Sequence, residues 1–234
     1  MNARKLALAE GIEDTRAALL RWNAAPGSVA ARWALCSLGV ALALLYIVWA
    51  VSHRAVPDPA GIALPGLNRP ADTGAAAHVV VRNLLVLLLH ALACVAGYTA
   101  GTALPRQAEQ HTGLMRRIHE LAGPAAIMFV GAATLFSLLT QAYVLGSDAA
   151  TLAAQLDIGQ ATLILTLLPH ALPELVALFL PLAAWLVASR SGRWDELLAA
   201  TVATSALALP VLVMTSSIEV FVWPHLLRGA SPLV

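Results

Sequence analysis

Five stretches of this chain are apolar almost without interruption, at approximately Val29–Val51, His78–Leu104, Glu120–Gly146, Leu156–Ser189 and Glu196–Leu227, and polar residues gather between them. Each is long enough for the run of about 20 apolar residues that crosses a bilayer as a helix, and the fourth and fifth exceed one crossing. The pattern predicts an all-α, polytopic membrane helix bundle of about five transmembrane segments, forming a single transmembrane helical domain over 29–234. Ahead of it, residues 1–28 are expected to form a cytoplasmic amphipathic segment. Leu6, Ala9, Ile12, Ala17 and Leu20 recur there at helical spacing, with Arg4, Glu13, Arg16 and Arg21 more nearly opposite, before Pro26 and Gly27 redirect the chain. A solvated helical tail is the alternative.

The fourth stretch contains Leu-Pro-His-Ala-Leu-Pro-Glu-Leu, with His170 and Glu174 beside Pro169 and Pro173. Proline has no N–H, so these two free the helix carbonyls of Leu165 and Pro169. The fourth segment is therefore expected to be proline-broken, and its freed carbonyls to face protein or a water-filled cavity. The connection from Ser52 to Ala77 is rich in Pro, Gly and Ala and has no periodicity, which predicts an irregular outer segment. Between the second and third stretches, Arg106–His119 can form a short polar helix whose Arg116 and Arg117 meet headgroups.

Composition agrees with a membrane protein: 59% of residues are hydrophobic, 12% are charged and mean hydropathy is +0.78, against about 25% charged in soluble domains. The basic residues are unevenly placed. Arg4, Lys5, Arg16, Arg21 and Arg32 precede the first stretch; Arg106, Arg116 and Arg117 follow the second; Arg190 and Arg193 follow the fourth. Only Arg54, Arg69 and Arg228 fall on the other side, so the N-terminus is predicted cytoplasmic. Trp22, Trp33 and Trp194 would then mark the inner interface, and Tyr46, Trp49, Tyr143 and Trp223 the outer one. Acidic residues before the first stretch fit a retained helix better than a cleaved signal. Cys36 and Cys94 both lie in predicted spans, and no zinc-ligand spacing appears. A net charge of +1 without a basic, aromatic-laced cluster points away from nucleic acid.

Ionisable residues at bilayer depth are costly and usually mark function. In the second span, Asn83, His90 and Gly97 recur every seven residues on one helix face, with Arg82 beside them. Ala93, Gly97 and Gly101 form a small-residue ladder that admits a neighbouring backbone. The orientation places Arg82, Asn83, His170, Glu174 and Glu219 at comparable depth, so they are expected to meet as one intramembrane polar cluster. His90, Gly97, Gly101, Pro169 and Pro173 are secondary candidates. Three readings of the cluster stay open. Arg82 can neutralise a carboxylate and organise the bundle without chemistry. The broken fourth span can form an ion- or proton-coupled transport site. His170, Glu174, Glu219 and His90 can surround a metal as an intramembrane hydrolase, although no HExxH or second histidine pair supplies a ligand set. No catalytic residue, metal ligand or cofactor is assigned.

The residues that carry this cluster also resemble a known family. Leu168-Pro169-His170 followed by Glu174-Leu175, Asn83 in a span ending with Gly97 and Gly101, and Ile218-Glu219-Val220-Phe221 before Pro224 occur in the order seen in the stage II sporulation protein M family. The resemblance covers about residues 78 to 226. The chain departs from the family pattern in having Ala171 for the glycine after the histidine, Arg82 where a second asparagine is common, and Trp223 before Pro224. The resemblance implies a multi-helix protein of a prokaryotic plasma membrane, acting as a scaffold or partner in envelope remodelling. Its implied partners, besides the lipid bilayer, are extracytoplasmic envelope proteins, and a second copy of the chain is a further candidate.

Overall fold

The computed structural model describes residues 3–233, with side-chain environments from residue 10 onward. The chain is an all-α, multi-pass membrane protein: five of its helices are long and apolar enough to cross a bilayer, and no strand occurs among the described residues. The elements are α1 (Ala3–Asn23), α2 (Pro26–Ser52), α3 (Thr73–Tyr98), a π turn (Thr99–Ala103), α4 (Leu104–Glu109), α5 (Gly113–Gln155), α6 (Gln160–Leu178), α7 (Leu180–Ser191), a 3-10 turn (Trp194–Glu196), α8 (Leu197–Phe221) and α9 (Trp223–Ala230). The five candidate spans are Pro26–Ser52, Thr73–Glu109, Gly113–Gln155, Gln160–Leu178 and Trp194–Phe221.

The two overlong stretches are resolved by breaks near proline. Pro169 and Pro173 lie inside a continuous α6, whereas the fourth stretch breaks at Phe179, two residues before Pro181. Pro181 thereby falls in the first turn of α7, where a missing N–H costs nothing. The interruption expected at Pro169 and Pro173 is thus displaced toward the C-terminus. The expectation that this stretch faces inward holds for one side only: His170 and Glu174 are buried, while Leu165 and Pro169 are exposed. Pro224 plays the same part at the start of α9, after a break at Val222.

The chain forms two compact units. The first comprises Met1–Ser37, Leu87–Leu135 and Phe179–Leu207; the second comprises Leu38–Val86, Phe136–Leu178 and Ala208–Val234.

In the first unit, Ala18 and Trp22 of α1 pack with Trp33, Ala184, Ala199 and Ala200. The Trp22 and Trp33 rings meet edge to face at 5.0 Å. Both tryptophans are buried core residues and do not face headgroups as the sequence suggested, and a carboxylate accepts from the Trp22 indole N–H. Trp22 Nε1 donates to Glu196 Oε2 at 3.3 Å, and Arg21 binds Asp195 at 2.8 Å and Glu196 at 3.2 Å. The buried face of α1 runs through Gly11, Ala18 and Trp22, so Ile12, Ala17 and Leu20 point outward and the expected apolar stripe is not the docking face. The side chains of Leu6 and Ala9 in that stripe, and of Arg4 and Lys5, lie outside the described residues.

A second clamp holds α1. Arg106 donates to both Asp14 carboxylate oxygens, at 2.7 and 3.2 Å, and Tyr98 Oη donates to Oδ2 at 3.0 Å. Burial alone pushes the Asp14 carboxyl up, but the hydrogen bonds from Arg106 and Tyr98 outweigh it, and its pKa sits below the ordinary carboxylate value. A depressed carboxylate adds stability that is complete above its unfolded pKa and disappears as pH falls through the folded one. Hydrogen exchange of α1 amides is therefore expected to quicken below about pH 4. In Asp14→Asn the same exchange should be fast at neutral pH and lose this step; an unchanged profile would contradict the clamp.

In the second unit, Leu152, Leu156, Leu163, Trp223 and Leu227 form a core on which Ile62, Leu64 and Leu67 of the long connection also pack. That connection has the irregular backbone the sequence predicts, but it is anchored. Gln155 accepts from Ile62 N–H at 2.8 Å and donates to Ile62 C=O at 3.2 Å, Thr151 Oγ1 accepts from Asp58 N–H at 3.0 Å, and Arg228 donates to Gly66 C=O. Gly66 has φ +77°, and a Cβ there would strike Pro224, so glycine is needed for both reasons. Losing two hydrogen bonds of about 1 kcal/mol each, Gln155→Ala should raise exchange at the Ile62 amide by about 30-fold. Exchange unchanged in that variant would mean the apolar contacts alone fix the segment.

Candidate functional site

The buried face of α3 is the seven-residue stripe, with Asn83, His90 and Gly97 all inside. Helix periodicity alone produces this, since residues seven apart differ by only about 20° around the axis. On α6, His170 and Glu174 are one turn apart and both buried, at 3% and 8% exposure. On α8, Glu219 extends toward α3, and Arg82 Nη2 lies 3.7 Å from its Oε1. Glu174 has Asn83 and Thr215 beside it and lies within electrostatic reach of Glu219 and Arg82. Helices α3, α6 and α8 thus bring all five members of the expected polar cluster into the second unit.

Two further features belong to the same neighbourhood. Asp148 of α5 feels the charge of Arg82, so one guanidinium serves three carboxylates. Nothing in the sequence marked Asp148, because it lies just beyond the apolar run Glu120–Gly146, where a carboxylate reads as a loop residue, whereas α5 continues to Gln155. Along the same face of α6, one turn before Glu174, the His170 ring lies 5.2 Å from Trp223, whose Nε1 donates to Thr166 Oγ1 at 3.3 Å. Trp223 is thereby a buried wall of the site and not an interface anchor.

Hydrogen bonding in the cluster is incomplete. Among the described residues, His170 Nδ1 and Ser216 Oγ are buried without a hydrogen-bond partner, while the Asn83 amide and the Thr215 hydroxyl stand within bonding reach of the Glu174 carboxylate. Each such unpartnered atom costs about 1–3 kcal/mol.

The secondary candidates lie elsewhere, apart from Pro169 and Pro173. His90 belongs to the first unit, where its ring meets Phe179 edge-on at 5.3 Å. Gly97 and Gly101 also belong to it, and they admit indole rings where a backbone was expected. A Cβ at Gly97 would lie 2.7 Å from the Trp185 ring, and one at Gly101 would overlap Trp194. Close backbone approach occurs instead at Gly123, against the Ala100 carbonyl of the π turn, and at Gly146, against the Val48 carbonyl. Cys94 Sγ donates to Pro181 C=O at 3.0 Å in the first unit. No group of three or more His, Cys, Asp or Glu side chains among the described residues is placed to hold a metal ion, and the hydrolase reading finds no ligand set there.

No family model matches the chain, and neither a curated protein nor a solved structure does.

Proposed function

We propose that this chain is a membrane-embedded scaffold of the cell envelope, similar in role to the stage II sporulation protein M family, in a prokaryotic plasma membrane. Its N-terminus is cytoplasmic and the segment between α2 and α3 faces outward. The observation that carries this reading is the anchoring of that segment. A plain connector needs no fixed shape, yet Gln155, Thr151 and Arg228 hold its backbone while Ile62, Leu64 and Leu67 tie it to the core. Its outer side presents Val56 at 89% exposure, an apolar contact for a partner already held in one conformation.

The test is cross-linking in intact cells from Val56→Cys, with identification of what is captured. A defined envelope protein should be recovered, and its yield should fall when Gln155→Ala loosens the segment. Equal recovery of the same protein from the lipid-facing position Leu135→Cys would defeat the scaffold reading.

The charge balance around Arg82 supports a second reading, an ion- or proton-coupled transporter. Three carboxylates facing one arginine leave negative charge that a proton or small cation would balance. In proteoliposomes this reading requires proton or alkali-cation flux that Glu174→Gln abolishes. Absence of flux under every gradient would remove it and leave the scaffold reading standing.

A further inference from the structure

The first unit contains a small cavity formed by α1, α2, α7, the 3-10 turn and α8. Trp22 and Trp33 line its buried side, Glu196 lies among them, and Arg32 and Arg193 stand at its exposed edge. The space of about 20 Å³ has room for a water-sized group. An occupant can therefore insert only a small polar tip, with the rest of the molecule outside.

The charge of the cavity is fixed by what is already engaged. Glu196 is saturated: Oε1 accepts from Arg21 at 3.2 Å and from Arg193 at 3.4 Å, and Oε2 accepts from Trp22 at 3.3 Å. Arg32 makes no ion pair among the described residues. Neither does Arg190, which lies near enough to act electrostatically on Cys36, one turn beyond Arg32 on α2. The uncommitted Arg32 at its edge, beside a neutralised Glu196, leaves the pocket positive, and an oxyanion accepts from a guanidinium fork better than any neutral group. Leu35, on the same face of α2 as Arg32, is 69% exposed, which supplies apolar surface for an acyl chain next to the charged edge.

We propose that this pocket binds the phosphate of an anionic phospholipid headgroup. One phosphate oxygen enters the cavity, Arg32 at its edge holds the charge, Arg190 adds positive field from its place near Cys36, and the lipid tail lies along α2. Basic pockets between transmembrane helices recognise anionic headgroups in this way. The proposal is independent of the outer segment and of the polar cluster.

The experiment uses the full chain in nanodiscs of phosphatidylglycerol, of phosphatidylcholine, and of phosphatidylcholine with inorganic phosphate added. Retained lipid is read by native mass spectrometry and thermal protection by the unfolding midpoint. Phosphatidylglycerol should be retained and protect, and Arg32→Gln should weaken retention about tenfold. Arg32→Gln with Arg190→Gln should weaken it further, and neither arginine makes an ion pair among the described residues. The exposed Arg117→Gln serves as control and should leave retention intact. Equal retention by Arg32→Gln and Arg117→Gln would overturn the site. Protection by inorganic phosphate equal to that by phosphatidylglycerol would overturn the lipid assignment.

Discussion

Replacing Arg82 with glutamine is expected to destabilise the protein by about 3 kcal/mol. Arg82 is the cation within reach of Asp148, Glu174 and Glu219, and Glu219 keeps only 20% of its side chain accessible. Removing one member of a buried pair leaves the other charge uncompensated, which costs more than the pair itself contributes. More than half of the Arg82 side chain is accessible, which puts the loss at the lower end of the range for such pairs. Arg82→Lys should lose less, since a point charge persists without the guanidinium fork. Unfolding of the purified variants in detergent checks this order. Arg82→Gln as stable as the parent would show that the carboxylates are balanced by something else.

The second large effect is steric. Gly146→Ala should cost about 3 kcal/mol, because its Cβ would lie 2.6 Å from the Val51 side chain and 2.9 Å from the Val48 carbonyl. A flexible side chain could swing aside, but a helix carbonyl cannot move without shifting α2 against α5. Gly39 supplies the contrast within the same unit. It lies mid-helix in α2, nothing stands within 4 Å of its missing Cβ, and Gly39→Ala should stabilise by about 1 kcal/mol through helix propensity alone. The two alanine variants should therefore move the unfolding midpoint in opposite directions. Movement in the same direction would contradict the close approach at Gly146.

The five crossings were legible because bilayer thickness imposes a length that shows directly in the apolar runs. Helix periodicity likewise exposed the buried faces carrying Asn83 and His90, and His170 with Glu174, and the acid and base of the Arg82–Glu219 pair were both conspicuous inside apolar runs. Where the fourth stretch breaks was not legible. Three prolines, Pro169, Pro173 and Pro181, obey the same local rule, and only the last of them stands at the break, just after Phe179. The docking of α1 was hidden for a different reason. Its partners Tyr98, Arg106, Asp195 and Glu196 are far along the chain, so the exposed stripe Ile12 and Leu20 gave the stronger local signal. Gly97 and Gly101 showed that small residues were needed, yet only coordinates reveal that indoles fill the space.

Charges from separate crossings meet inside one unit. A double-mutant cycle between Arg82→Gln and Glu219→Gln measures their coupling most directly. A coupling energy of about 1–2 kcal/mol, with the second substitution restoring much of what the first removes, is the expected result. Losses that simply add, within about 0.5 kcal/mol, would contradict the account.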